Sequence, residues 1–167
     1  TTNKSKFGSE CIVPTKMIEE LGNMGVIERA INLSKFQDTQ LLIKTDGKKK
    51  SKILDIEKLD DAKYAGTKLS KDCVLILTEG DSAKATAVAG ISVIPNGRNI
   101  YGIYPLRGKL LNTRGEGKEK YISQNQEIID IKRIMGLQEG KEYTNLESLR
   151  YGKIMIMTDQ DLDGSHI

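Results

Sequence analysis

Short apolar runs alternate with amphipathic segments along the second half of the chain. Continuous apolar runs at 73–77 and 153–157 are typical of buried parallel strands, and 99–106 predicts a further strand between them. The small residues of 83–90 predict a helix directly after the first strand, and 119–137 predicts another helix. One face of that second helix carries four apolar side chains: Tyr121, Ile128, Ile131 and Met135. Strands that alternate with helices predict an α/β fold with a mainly parallel sheet flanked by helices.

The start of the chain has a different pattern, which predicts helices. Five apolar residues recur at helical spacing, and we expect them to be packed inside the protein: Met17, Leu21, Met24, Ile27 and Ile31. Gly22 and Gly25 interrupt this pattern and predict two short helices with a bend between them.

A charged loop and a turn-rich stretch follow these helices. Residues 44–52 carry several lysines, which can contact a nucleic-acid backbone or simply meet solvent. Residues 53–70 are mixed in character and predict a connector rather than a regular element. We therefore expect a small helical connector at 1–70 and a main domain at 71–167.

Charged residues gather just beyond the three predicted strands. Glu79 comes after the first strand, and Arg107 and Lys109 come after the second. A run of alternating acids follows the third strand: Asp159, Asp161 and Asp163. In an open α/β sheet, ligands collect beyond the carboxyl ends of the strands. The pattern therefore predicts that four carboxylates and two cations meet at one edge of the sheet.

The alternating aspartates are candidate ligands of a metal ion. Three close carboxylates repel one another unless a cation lies among them, and hard oxygen donors suit Mg²⁺. Gly164 permits a sharp turn directly after them. The segment DQDLDG also matches the opening of an EF-hand loop, so a non-enzymatic calcium-binding module is an alternative. An EF-hand loop follows a helix, however, whereas the apolar run before Asp159 favours a strand.

The composition is that of an ordinary globular protein. The formal net charge is +3, which is too small to indicate nucleic-acid binding by itself. Basic residues cluster within one stretch, however: Arg98, Arg107, Lys109, Arg114, Lys118 and Lys120. Cys11 and Cys73 lack the spacing of metal ligands, and we expect buried thiols in a reducing compartment. No signal peptide or long apolar run is evident, so we expect a cytosolic or nuclear protein.

Three motifs, in this order, resemble the Toprim domain of type II DNA topoisomerases. They are EGDSAKATAVAG at 79–90, YPLRGKLLN at 104–112 and TDQDLDGSHI at 158–167. IMGLQ (134–138) and LRYGKIMIMTDQD (149–161) are more similar to the eukaryotic form, nuclear or from large DNA viruses, than to bacterial gyrase. Further upstream, SKFGSEC, KTDGKKK and KLDDAKYAGTKLS resemble the segment that joins the ATPase region to the Toprim domain. The resemblance covers nearly the whole chain.

The resemblance implies a Rossmann-like Toprim fold and a particular chemistry. The implied enzyme cuts both strands of one DNA duplex, passes another duplex through and reseals the gap, driven by ATP. Mg²⁺, with Mn²⁺ or Ca²⁺ as substitutes, is implied at Glu79, Asp159 and Asp161, with Asp163 at a second position. The first three are also the implied catalytic residues, and Glu79 is implied to move a proton at the leaving ribose oxygen. The implied DNA contacts are Gly80, Asp81, Arg107, Gly108, Lys109 and Asn112.

The resemblance also implies a larger enzyme. The family's nucleophilic tyrosine lies in a downstream winged-helix domain, and its ATPase domain lies upstream. We therefore expect a C-terminally truncated Toprim region that is inactive alone and binds no ATP. The full-length enzyme is expected to be a homodimer on double-stranded DNA, without a membrane, in the nucleus, or in the host cytoplasm or virion if viral. A Toprim-type primase or nuclease domain is the enzymatic alternative.

Overall fold

A computed structural model describes residues 13–50, 52–110, 112 and 118–167. The chain forms two compact units, 1–37 and 38–167. Cys11 and Arg114, which the sequence singled out, lie outside the described residues.

The first unit is helical. Helix α1 spans Thr15–Asn23, and helix α2, which continues into the second unit, spans Val26–Ile43. Met24 and Gly25 separate the two helices, and Gly25 has a φ of 69°, a conformation that glycine adopts without strain. The break therefore falls where the sequence predicted it, although α2, with 18 residues, is longer than expected.

The apolar positions of these helices are exposed. The expectation that they are packed is wrong for the described part of the chain, in which all five are 41–68% exposed: Met17, Leu21, Met24, Ile27 and Ile31. Helical spacing predicts that a helix has an apolar face, but it carries no information about what covers that face.

The second unit is an α/β fold around a parallel sheet, as predicted. Its elements are β1 (Val74–Glu79), α3 (Gly80–Val93), α4 (Gly97–Ile100), β2 (Tyr101–Leu106), α5 (Glu119–Ile122), α6 (Gln126–Met135), β3 (Lys153–Met157) and α7 (Leu162–His166). The described strands are parallel and lie in the order β2-β1-β3. The second strand starts at Tyr101 rather than at residue 99, because Gly97–Ile100 forms a helical turn before it.

Helices lie on both faces of the sheet. On one face, Ala87 and Ile91 of α3 pack against Ile76 and Ile103. On the other face, Leu75 and Leu77 of β1 and Tyr104 and Leu106 of β2 pack against Ile134 and Met135 of α6. Alternate side chains of β1 and β2 thus enter different cores, which is why both strands read as continuous apolar runs.

The segment before the sheet is part of the second core. Ile56, Ala62 and Ala65 are buried in the cluster that α6 covers. An isolated antiparallel bridge joins Asp60 to Ile103 of β2. The division at residue 70 stays a prediction, because no finding tests it, but the stretch before it supplies side chains to the core.

Two elements differ from the sequence expectation. β3 was expected to be buried, yet Ile154, Met155 and Ile156 are 47–57% exposed. The reason is that β3 is an outer strand of the described sheet and has a neighbouring strand on one side. The helix predicted over 119–137 is two helices, since Asn125 caps the start of α6 by accepting a hydrogen bond from Ile128 N at 3.1 Å. Tyr121 is consequently exposed on α5 instead of sharing the packed face of α6.

Candidate functional site

The carboxyl ends of the three strands meet at one edge of the sheet. Glu79 ends β1 and is in register with Leu106, the last residue of β2. Thr78 is in register with Met157, the last residue of β3. The polar segments that follow these strands therefore begin at neighbouring points, as the sequence predicted.

Glu79 and Asp159 are in contact across this edge. The backbone N–H of Asp159 donates a hydrogen bond to Glu79 Oε2 at 3.4 Å. Next to it, the buried Thr78 hydroxyl donates to the carbonyl of Gly80 at 3.1 Å. Gly80 begins α3 with a φ of 78°, so the chain leaves β1 in a conformation that suits glycine. The loop after β3 thus lies against the end of β1.

Asp161 has a structural as well as a candidate chemical role. Its Oδ1 accepts a hydrogen bond from Gly164 N at 2.7 Å, which caps the first turn of α7. Gly164 was expected to allow a sharp turn, but the structure uses its small size, because a Cβ there would lie 2.1 Å from the carbonyl oxygen of Asp159. Gly164 therefore allows α7 to close onto the acidic loop.

Lys109 reaches the acids from the segment after β2. Its Nζ lies 2.7 Å from Asp163 Oδ1, and both side chains are about half exposed. The hydrogen bond and charge of Asp163 raise the pKa of Lys109, and the charges of Asp161 and Glu79 add to the same effect. The reciprocal hydrogen bond from Lys109 lowers the pKa of Asp163. Three of the four predicted metal-binding carboxylates therefore attract one ammonium group.

The donor chemistry fits a hard divalent cation, although the ligands are not gathered into a coordination shell. Within the described ranges, no three His, Cys, Asp or Glu side chains are arranged so that they could hold a metal ion. The available donors are carboxylate oxygens, which Mg²⁺ prefers, and the Lys109 ammonium marks where they attract positive charge. The residues that would hold the ion are Glu79, Asp159 and Asp161, with Asp163 beside them, and the Glu79 carboxylate already accepts a hydrogen bond from the backbone of Asp159.

Five of the six predicted DNA-contacting residues directly follow β1 or β2 at the same edge. Asp81 is exposed in the first turn of α3, and Arg107, Gly108 and Lys109 are exposed directly after β2. Gly108 has a φ of 66° and open space around the position of a Cβ. The carbonyl of Asn112 accepts a hydrogen bond from Lys118 Nζ at 2.9 Å.

The basic stretch predicted over 98–120 is divided between two places. Arg98 lies in the helical turn before β2, and Arg107 lies after β2. The two arginines are therefore at opposite ends of a six-residue strand, and the contact with the acidic loop comes from Lys109, after the strand.

Sequence reasoning missed a buried ionic cluster at the other end of the strands. Arg150 is fully buried and forms a salt bridge with Asp61, whose other oxygen accepts a hydrogen bond from the Tyr151 hydroxyl at 2.5 Å. Arg150 directly follows the buried Leu149 and precedes a strand. A charged residue in such an apolar stretch was the available sequence signal that it is buried and paired. Lys84, within the first motif, also has a connecting role, because its Nζ lies 2.8 Å from Asp60 Oδ2.

Comparisons with known proteins identify the family. The sequence model of the Toprim domain family matches residues 74–167. The chain therefore belongs to the Toprim domain family, and the predicted fold class is confirmed.

Eukaryotic DNA topoisomerases are among its relatives. The chain is 52% identical over 167 residues to DNA topoisomerase 2 of Pisum sativum and 54% identical over 171 residues to DNA topoisomerase 2-beta of Gallus gallus. It is 49% identical over 167 residues to DNA topoisomerase 2 of Saccharomyces cerevisiae. These matches cover all of the chain but only 10–12% of the relatives' length. The predicted similarity to eukaryotic type II topoisomerases is confirmed.

A solved structure supports the same assignment. It is the DNA-binding, cleavage and re-ligation domain of Plasmodium falciparum topoisomerase II, matched with a TM-score of 0.66 and 51% identity. The match covers 71% of this chain and 16% of that one. The EF-hand alternative is wrong, because a Toprim strand, not a helix, precedes the aspartates. No helix among the described residues is long and apolar enough to cross a membrane.

Proposed function

We propose that this chain is the metal-binding part of a type II DNA topoisomerase that cleaves and reseals double-stranded DNA. The observation that supports the proposal best is the meeting of Glu79, Lys109 and the acidic loop 159–163 at one edge of the sheet. The relatives named above match this chain over its full length. The rest of the enzyme supplies the nucleophilic tyrosine, the ATPase and the second protomer, and the enzyme acts in the nucleus.

Each residue of this edge has a proposed role. Glu79, Asp159 and Asp161 would hold Mg²⁺, and Asp163 would complete a second position. A bound Mg²⁺ would polarise a phosphoryl oxygen and neutralise charge in an in-line displacement. Glu79, whose carboxylate lies at the end of β1 beside the loop 159–163, would give a proton to the ribose oxygen that leaves and take it back when the bond is resealed.

The other polar groups of the edge hold the DNA. Arg107 and Lys109 bind phosphate oxygens, and Gly108 lets the backbone approach closely, because the space beside it is open. Gly80 and Asp81, which follow β1, and Asn112 contact the DNA next to these two cations.

Calorimetric titration of Mg²⁺ tests the proposed metal site. We expect the D159N/D161N variant of the 167-residue chain to lose most of the binding heat. A matched control is the E57Q/E142Q variant, which removes two exposed carboxylates elsewhere and should bind Mg²⁺ as the parent does. Equal binding by the D159N/D161N variant and the parent would contradict the assignment.

A chimera tests the proposed activity. The chain would replace the matching segment of the Saccharomyces cerevisiae relative, which it covers at 49% identity. We expect the chimera to relax supercoiled plasmid with ATP and Mg²⁺, and the same chimera with Glu79→Gln to be inactive. The chain alone should show no relaxation. An active Glu79→Gln chimera, or relaxation by the chain alone, would overturn the proposal.

A further inference from the structure

A basic cavity opens between the loop formed by residues 46–50 and 52–55 and the end of α6. Its volume is about 410 Å³, and its lining includes four cations, Lys48, Lys50, Lys52 and Arg133. The cavity lies wholly within the second compact unit. None of these residues belongs to the candidate metal site.

Both acids of the cavity are already neutralised. Asp46 Oδ1 lies 2.9 Å from Lys132 Nζ, and Asp55 forms an ion pair with Arg133. The hydrogen bond from Arg133, and more weakly the charge of Lys50, hold the pKa of Asp55 below its ordinary value. The net positive charge of the lining therefore comes from the three lysines.

The ammonium groups of Lys48, Lys50 and Lys52 have no hydrogen bond or ion pair with any residue that the structure describes. Their side chains are exposed. Lys49, between the first two, is different, because its Nζ donates to the carbonyl of Glu147 and lines a separate cavity. The loop thus presents alternate lysines to the cavity and directs the one between them elsewhere.

The backbone of this loop is fixed by hydrogen bonds, whereas the ammonium groups of its three cavity lysines make none with the described residues. Gly47 N donates to the carbonyl of Leu137 at 2.7 Å, and the buried Arg150 donates through Nε to the carbonyl of Lys50 at 2.7 Å. A Cβ on Gly47 would lie 2.5 Å from the carbonyl oxygen of Lys132, so the loop touches α6 directly. A loop whose backbone is already fixed favours binding, because it loses little further conformational entropy when a ligand binds.

The cavity and the candidate metal site are at opposite edges of the sheet. Arg150 N donates to the carbonyl of Met135 at 2.9 Å, which places the end of α6 beside the start of β3. Glu79 and Asp159 lie beyond the other ends of the strands. The five-residue strand β3, roughly 16 Å long at about 3.3 Å per residue, therefore runs between the ends at which the two sites lie.

We propose that Lys48, Lys50 and Lys52 form a second contact site for the phosphate backbone of duplex DNA, separate from the candidate cleavage site. This inference rests on the proposed function, since DNA is the ligand of both sites. Lysine ammonium groups are point charges that bind phosphates without reading bases. The site therefore takes phosphodiester groups of any sequence, and it binds DNA at a distance from the cleaved bond.

Binding of a fluorescent duplex oligonucleotide to the 167-residue chain, measured by anisotropy across a salt series without Mg²⁺, tests the inference. We expect the K48Q/K50Q/K52Q variant to weaken binding at about 0.15 M salt by roughly fivefold for each lysine that binds a phosphate in the parent. The slope of log affinity against log salt should fall by about 0.9 for each of these lysines.

Two variants control for charge and folding. The K49Q/K68Q/K71Q variant removes the same charge from the neighbouring cavity and should bind DNA more tightly than the test variant. The K48R/K50R/K52R variant keeps the charge and should bind as the parent does. Thermal unfolding of every variant should match the parent, because all the substituted side chains are exposed.

The outcomes separate this inference from the proposed function. If the K48Q/K50Q/K52Q and K49Q/K68Q/K71Q variants bind DNA equally weakly, the second site is overturned and the proposed function is not. The same holds if K48Q/K50Q/K52Q weakens the binding of polyglutamate but not the binding of DNA. Failure of the parent chain to bind duplex at all would overturn the second site, whereas the proposed function is tested separately by the activity of the chimera. An R107Q/K109Q variant should add its effect independently, because sites this far apart act additively.

Discussion

Lys109 Nζ lies 2.7 Å from Asp163 Oδ1, and this ion pair joins the segment after β2 to the acidic loop after β3. The ammonium group therefore lies beside the acidic loop, within the attraction of several carboxylates. Asp161 and Glu79 raise the pKa of Lys109 through the same field, after the larger effect of Asp163 itself. Lys109 and a metal ion are consequently competitors for these acids as long as no phosphate engages the lysine.

Replacing Lys109 should change metal and DNA affinity in opposite directions. In Lys109→Gln, Asp163 no longer has a cation beside it, so we expect Mg²⁺ to bind roughly two- to fivefold more tightly, the range typical of exposed ion pairs. Duplex DNA should bind more weakly, because the substitution removes a cation that binds phosphate. Calorimetry measures the first effect and anisotropy the second. If Mg²⁺ affinity fell together with DNA affinity, Lys109 would be supporting the acidic loop rather than competing with the ion.

Gly164 should be required for the acidic loop even though it is not a candidate ligand. In Gly164→Ala the added Cβ would meet the carbonyl oxygen of Asp159 at 2.1 Å, so α7 and the loop must move apart. We expect Mg²⁺ binding to fall at least tenfold by calorimetry. Gly90→Ala is the matched control, because its Cβ meets nothing within 4 Å in a helix and should stabilise the protein by about 0.5–1 kcal/mol. Unchanged Mg²⁺ binding in Gly164→Ala would remove the proposed link between α7 and the metal site.

The sequence predicted the sheet and its polar edge because both depend on local pattern. The apolar runs of β1 and β2 are buried on both faces, and the residues after each strand necessarily meet at one edge of a parallel sheet. β3 has the same pattern but is exposed, because burial of a strand depends on neighbours that its own sequence does not specify. The exposed positions of α1 and α2 differ from expectation for the same reason.

The geometry within the site was beyond sequence reasoning. Spacing placed Asp161 and Asp163 among the acids, but it did not reveal that Asp161 caps α7 or that Asp163 pairs with Lys109. Both interactions depend on where one side chain meets another segment of the chain. The Arg150–Asp61 pair was missed because its members are 89 residues apart and each is unremarkable alone.

Arg150 should be a large contributor to stability. Its guanidinium is fully buried, with Nε and Nη1 donating to the carbonyls of Lys50 and Ile134 at 2.7 and 2.9 Å and Nη2 paired with Asp61. In Arg150→Met these partners lose their cation, and we expect the free energy of unfolding in urea to fall by about 3–5 kcal/mol. Arg98→Gln, at an exposed arginine, should change it by less than about 0.5 kcal/mol. If the free energy of unfolding of Arg150→Met were close to that of the parent, the partners of the guanidinium would be satisfied by water instead, which would contradict the expected contribution of Arg150.

Tyr104 and Tyr151 should stay protonated in the native protein at alkaline pH. Burial, followed by hydrogen bonds to Glu127 and Asp130, raises the pKa of Tyr104 well above its ordinary value. Burial, followed by the charge and hydrogen bond of Asp61, does the same to the pKa of Tyr151. A raised native pKa means that the folded state binds more protons than the unfolded state above about pH 10. The contribution of both residues to stability is therefore complete below that pH and is lost as the pH rises further.

An alkaline titration followed by tyrosinate absorbance checks this behaviour. We expect Tyr104→Phe and Tyr151→Phe to leave the native amplitude near about pH 11 unchanged, because neither phenol ionises while the protein is folded. In urea, each variant should show one tyrosinate fewer than the parent. Urea unfolding of the parent should also give a free energy that falls between about pH 10 and pH 11, and less steeply in each variant. A native amplitude that decreases in either variant would show that its phenol ionises within the folded protein, and would contradict the tight hydrogen bonding to the carboxylates.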